Sequence, residues 1–161
     1  LWPETSRTIL VLLMFIGACA GSTGGGIKVS RFIIACKSFI KEIISYLHPR
    51  SVKKIKIEGK PLEHETLRAT NVYFMTYMVI FAVSVLLVSI ENKDLVTNFA
   101  AVAATFNNIG PGLSLVGPKA NFGHFTDFTK YILMFDMLAG RLEIFPMMLL
   151  FCPAVWKRRR A

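Results

Sequence analysis

A glycine-rich interruption inside a membrane-length apolar run constrains this chain more than any other feature. Residues 8–20, TILVLLMFIGACA, are apolar and helix-compatible; Gly21-Ser22-Thr23-Gly24-Gly25-Gly26 and Ile27-Lys28-Val29 follow. Glycine is about 1 kcal/mol per residue worse than alanine in a helix, and four of these six positions are glycine. A lipid-exposed segment does not tolerate such a break, because its freed N–H and C=O groups find no water. Irregular backbone at membrane depth survives where it is buried in protein or lines a water-filled cavity. The break therefore points to a permeation path or a midplane binding site.

Charge and apolar residues separate along the chain in a way that supports a membrane setting. The 161 residues are 53% hydrophobic yet carry a net charge of +9. A crossing needs about 20 apolar residues at 1.5 Å rise each. Segment 71–90, NVYFMTYMVIFAVSVLLVSI, meets this without a charge. Segment 131–155 is long enough but contains Asp136, Arg141 and Glu143, and the first apolar run reaches the length only by passing through the glycine break. Residues 28–68 hold ten Lys or Arg and the tail adds Lys157, Arg158, Arg159 and Arg160, whereas 91–128 holds only Lys93 and Lys119. The positive-inside rule puts the basic segments in the cytoplasm and 91–128 outside. Three crossings follow, with the N-terminus outside and the C-terminus cytoplasmic. The charge is thus a topology signal, and no nucleic-acid partner is expected. Cys19, Cys36 and Cys152 form no CxxC or Cys/His ligand spacing, so neither a disulfide framework nor a zinc site is supported. The chain opens on Leu1-Trp2-Pro3 without an initiator Met, as expected of a piece of something longer.

Between the second and third crossings lies a short apolar stretch. Asp94 is placed to cap a helix over 95–106, LVTNFAAVAATF, too short to cross and better read as re-entrant. It runs into Asn107-Asn108-Ile109-Gly110-Pro111-Gly112, which cannot continue a helix. Residues 113–125 form a return loop, and the third crossing follows from about Asp127. The order is span, half-helix, glycine-containing turn, span, the geometry of a pore loop whose turn presents carbonyls to an ion. On the other side, His48-Pro49 ends the helix that resumes after the break. Residues 51–62 alternate around Glu58-Gly59-Lys60 as a short hairpin.

Three segments carry a family resemblance: GACAGSTGGGIKV (17–29), FNNIGPG (106–112) and LAGRLEIF (138–145). They resemble the Trk/Ktr superfamily of bacterial K⁺ transporters, and among these the TrkH/TrkG type of membrane subunit, over nearly the whole chain. The resemblance implies an all-α membrane protein of K⁺-channel-like M1–pore-loop–M2 repeats, here a C-terminal fragment with three crossings and one re-entrant half-helix. Residues 1–47 are then the M2 helix of a third repeat, broken by the intramembrane loop 21–26, and 48–70 a cytoplasmic linker with a short hairpin. Residues 71–155 are the fourth repeat (M1 71–90, pore helix 95–106, filter 107–112, M2 127–155), and 156–161 a basic cytoplasmic tail. The implied setting is a multi-pass protein of the bacterial inner membrane. Its partners are lipid, the remaining repeats of the same subunit, a second subunit in a homodimer, and a TrkA-like cytoplasmic regulatory subunit. That partner alone brings nucleotide; K⁺ is the transported ion, and no covalently bound cofactor is expected.

The resemblance also assigns roles. The backbone carbonyls of Asn107, Asn108, Ile109 and Gly110 become one quarter of a K⁺ filter, with K⁺ at Asn108, Ile109 and Gly110; on pattern alone the segment also reads as an Asn-rich outer turn. Gly21, Ser22, Thr23, Gly24, Gly25 and Gly26 become a movable loop that obstructs the pore beneath the filter. A phosphate loop fails here, because Ile27 separates Gly26 from Lys28 and Val29 stands where Ser or Thr is needed. Small-residue packing of Gly17, Gly21 and Gly25 at four-residue spacing remains open. Arg141 becomes a pore-facing gate charge, since a charge in a span is costly and a functional candidate by default. The competing reading is a structural ion pair with Asp136 or Glu143. Lys28 either acts alongside Arg141 or anchors its helix at the interface. Residues 48–66 and 157–160 are candidates for docking the regulatory subunit. No enzyme activity is expected. The function implied is K⁺ uptake through a carbonyl-lined filter gated by the glycine loop and Arg141; the alternative is a non-conducting binding or assembly module of a larger transporter.

Overall fold

The structure, a computed structural model, describes residues 3–22, 24–48, 55–57, 60–142, 144–150 and 153. Thr23, Glu143, Cys152, the tail 156–161 and linker residues 49–54 and 58–59 lie outside the described residues. Among the described residues the helices run in order α1 (Glu4–Met14), α2 (Val29–Leu47), α3 (His64–Val88), α4 (Leu95–Phe106), α5 (Asp127–Leu142) and α6 (Ile144–Leu150). Two-residue strands β1 (Lys56–Ile57) and β2 (Lys60–Pro61) pair antiparallel between α2 and α3, with Lys56 opposite Pro61 and Ile57 opposite Lys60. The Nζ of Lys37 on α2 donates to the Lys56 carbonyl at 2.9 Å and ties this hairpin to the helix.

Helix α3 with its terminal turn, His64–Glu91, is long and apolar enough to cross a membrane. It begins seven residues before the apolar stretch, because Glu65 and Arg68 are good helix formers that polar surroundings accept. Its buried residues Thr70, Tyr73, Tyr77, Phe81, Ser84 and Val88 recur at steps of three and four and so define one face. The opposite face is also apolar yet exposed: Met75, Met78, Val79, Val83 and Leu86. Apolar residues all round a helix indicate an apolar environment on both sides.

Helix α4 is the centre of the molecule. Ala100 to Ala104 and Phe106 are buried on every side of it. Asp94 occupies its N-cap position but its side chain makes no capping bond; the backbone Asn98 N–H donates to the Asp94 carbonyl at 3.0 Å. Small side chains on α4 let α3 and α5 approach closely. An aromatic group fills the space between them: Tyr77 to Phe106 at 4.6 Å, Phe81 to Phe99 at 5.3 Å, and Phe15 to Phe81 at 5.5 Å. At the other end of α3 a clasp closes the pair α3–α5. Glu91 accepts from both the backbone N–H (2.7 Å) and the hydroxyl (2.6 Å) of Thr126, just before α5 starts.

One element boundary departs from the sequence reading. Helix α1 ends at Met14 rather than near Ala20, so the interruption covers residues 15–28. In the stretch read as one third crossing, 127–155, the described residues on either side of Glu143 are helical, as α5 and α6.

Candidate functional site

The interruption in the first span is a closed loop. The Gly17 N–H donates to the Ile27 carbonyl at 2.9 Å, and the Val29 N–H to the Ala18 carbonyl at 3.1 Å. Ile16 and Ile27 form a parallel bridge beside them. Inside this neck the Ser22 N–H donates to the Cys19 carbonyl at 3.1 Å, and the Gly24 N–H to the Ser22 hydroxyl at 3.2 Å. Some of the backbone groups freed by the broken helix thus find partners within the loop. The sequence marks the glycines but not the neck, which joins residues ten or eleven apart.

Helix α4 delivers the segment 107–110. Asn107 caps its C-terminus, and the Asn108 and Ile109 N–H groups fold back onto the carbonyls of Thr105 (3.0 Å) and Ala104 (2.9 Å). Asn108 (φ 55°) and Gly110 (φ 97°) have left-handed backbone, with Ile109 between them at negative φ. Asn tolerates this conformation, but few residues other than glycine accept the Gly110 value. Among the described residues, none of the carbonyls of Asn107, Asn108, Ile109 and Gly110 accepts a hydrogen bond. Ile109 and Gly110 are exposed, Asn108 is half-buried, and Asn107 is buried. Ile109, Pro111 and Gly112 line a hollow of about 950 Å³ shared with Leu10, Leu13 and Met14 of α1.

The asparagine side chains fasten the turn. The Asn107 side-chain nitrogen donates to the Ala103 carbonyl at 2.8 Å, and its Oδ1 accepts from the Tyr77 hydroxyl at 2.9 Å. The Asn108 side-chain nitrogen donates to the Met137 carbonyl on α5 at 3.1 Å. The glycine loop lies directly against them. A Cβ on Gly25 would fall 2.7 Å from Asn108 Cβ and 3.0 Å from the Asn107 carbonyl oxygen, and one on Gly26 would fall 3.0 Å from Asn107 Oδ1. Gly140 of α5 closes the group, because a Cβ there would overlap the Phe106 carbonyl oxygen. The fold therefore brings Gly25, Gly26, Asn107, Asn108 and Gly140 into contact.

Arg141 follows Gly140 in the last turn of α5 and is exposed. Among the described residues no hydrogen bond or ion pair joins it to residues 21–26 or to Asp136. Asp136 instead is buried one and a half turns earlier and accepts from the Ser84 hydroxyl at 2.7 Å. Lys28 stands at the N-cap of α2, its carbonyl accepting from the Arg31 and Phe32 N–H groups. Among the described residues no group of three or more His, Cys, Asp and Glu gathers to hold a metal. Sequence reasoning missed Tyr77 and Gly140. The signal for Gly140 was its position beside the charged Arg141; Tyr77 lies among apolar residues and only its partner reveals it.

A short buried helix leading into a turn that packs against a glycine loop is what these contacts describe, and comparison with known proteins assigns the family. A family model described as TrkH, cation transport protein, matches residues 1–158, and the chain belongs to this family. Membership sets it among transport proteins rather than enzymes. It is similar to the Trk system potassium uptake protein TrkH of Salmonella typhimurium and to that of Escherichia coli K12. Each is 40% identical over 156 residues, covering 97% of this chain and 32% of the relative. It is also similar to the crystal structure of the potassium transporter TrkH from Vibrio parahaemolyticus, with a TM-score of 0.85 at 40% identity. That match covers 96% of this chain and 33% of the other. The chain thus spans about a third of the length of the relatives it matches.

Proposed function

We propose that this chain forms the C-terminal third of a K⁺ uptake subunit. In this reading residues 107–110 supply one quarter of a carbonyl filter, with K⁺ held at Asn108, Ile109 and Gly110. Residues 1–47 are a third-repeat M2 helix, 71–155 a complete fourth repeat with α4 re-entrant, and 156–161 a cytoplasmic tail. The observation that carries the reading is the close contact of Gly25 and Gly26 with Asn107 and Asn108. It sets a flexible loop against the inner side of a turn whose carbonyls are open. Such a loop obstructs passage and must shift for ions to pass. Neutral carbonyls suit a large monovalent cation, because they replace its hydration shell without holding it as a fixed charge would. Arg141 adds a positive charge one residue from the Gly140 contact and raises the barrier to cations. Ser22, whose hydroxyl accepts from Gly24, steadies the loop; Lys28 and Thr23 complete the gate. The relatives are named potassium uptake proteins of the Trk system, which supports K⁺ as cargo in a bacterial inner membrane. The cytoplasmic basic segments would dock a TrkA-like nucleotide-binding subunit, and two subunits would pair.

The test is Rb⁺ and Na⁺ uptake by the full-length subunit in liposomes. Gly110→Ser is expected to lower the preference for Rb⁺ over Na⁺, because a left-handed φ of 97° strains any L side chain. Arg141→Ala is expected to raise flux. If neither variant changes either property, the segment is an assembly module rather than a pore.

A further inference from the structure

Tyr77 stands behind the turn and is 1% exposed. Its ring is wedged between Phe106, 4.6 Å away, and Phe81, which it stacks at 6.4 Å. The hydroxyl is therefore aimed with little freedom, and it donates to Asn107 Oδ1. The other end of the same amide is spent on the Ala103 carbonyl. Asn107 is thus fixed from two helices, α3 through Tyr77 and α4 through Ala103. Its Oδ1 is also the atom nearest to where a Cβ on Gly26 would sit. Losing the hydroxyl leaves a buried amide oxygen without its partner, free to turn towards another donor. Any such turn shifts the residue from which the next three carbonyls hang and the surface on which the glycine loop rests.

We propose that Tyr77 is a positioning residue for ion selection, acting through its hydroxyl on Asn107 to fix both the exit of α4 into 107–110 and the seat of Gly26. This rests on the reading of 107–110 as a filter. The test uses the full-length subunit in liposomes and Tyr77→Phe, which keeps the ring packing and removes only the hydroxyl. The Rb⁺-to-Na⁺ uptake ratio is expected to fall about two- to tenfold, the equilibrium factor for a hydrogen bond of ordinary net strength. Uptake is normalised to folded protein, so that a loss of yield does not imitate a loss of selectivity. A merely structural hydroxyl would lower the melting temperature and leave the ratio unchanged, and that result overturns the proposal. In a double-mutant comparison, adding Tyr77→Phe to Asn107→Ala should change the ratio no further; additive changes would show that Tyr77 does not act through Asn107. If Gly110→Ser alters the ratio and Tyr77→Phe does not, this proposal fails while the filter assignment stands. If neither alters it, the filter assignment has failed as well.

Discussion

Gly140 illustrates how little space the site leaves at the level of one residue. A single added methyl there meets the Phe106 carbonyl oxygen, which belongs to the backbone and cannot rotate away. Relief requires α5 to move off α4. Overpacking of a fixed core costs about 1–3 kcal/mol and sometimes more, and here it falls on the residue preceding the turn 107–110. Gly140→Ala is expected to lower the melting temperature of the detergent-solubilised full-length subunit by several degrees and to reduce uptake with it. A variant that melts and transports like the parent would mean that α4 and α5 do not approach as closely as described. A different constraint acts on Asp136, whose second carboxyl oxygen has no hydrogen-bond partner among the described residues. Ser84 is consequently the group on α3 that makes this buried acid tolerable.

At the scale of the element, α3 separates two kinds of apolar contact that its sequence alone does not distinguish. Phe81 is buried against Phe15, Phe99 and Phe106, whereas Leu86 is 70% exposed. In an apolar solvent the difference between them is packing rather than removal from water. Phe81→Ala should destabilise the subunit by about 2 kcal/mol or more, towards the range seen for aromatic truncation in cores. Leu86→Ala should stay within about 0.5 kcal/mol. Thermal unfolding in detergent reads both, and equal effects would contradict the assignment of faces. The same contrast explains what could be read beforehand. The bounds of α4 were legible because a mostly apolar stretch of twelve residues lies between Asp94 and an Asn-Asn-Ile-Gly-Pro-Gly run, both local signals. The end of α1 was not, because Phe15 to Ala20 are compatible with a helix and yield only to the pairing of Gly17 and Ala18 with Ile27 and Val29. The turn 107–110 was marked by its composition. Its fastening by Tyr77 and Met137, 30 and 29 residues distant, leaves no trace in a linear pattern.

For the whole molecule, the basic residues of 28–68 and the near-absence of Lys and Arg from 91–128 predict which side each end of α3 faces. With Cys19, Cys36 and Cys152 replaced by Ser in the full-length subunit, a single cysteine at Lys119 should react with a membrane-impermeant maleimide in intact cells. One at Glu65 should react only after permeabilisation. The reverse pattern would invert the topology and put the glycine loop on the wrong side of the turn.

The neck of the glycine loop has a mechanical consequence. Because the Gly17–Ile27 and Val29–Ala18 hydrogen bonds join the strand leaving α1 to the one entering α2, the chain is cinched at the base of the loop. This tie lies outside the contacts that Gly25 and Gly26 make with Asn107 and Asn108, so a displacement of the loop from that turn would leave α1 and α2 tethered.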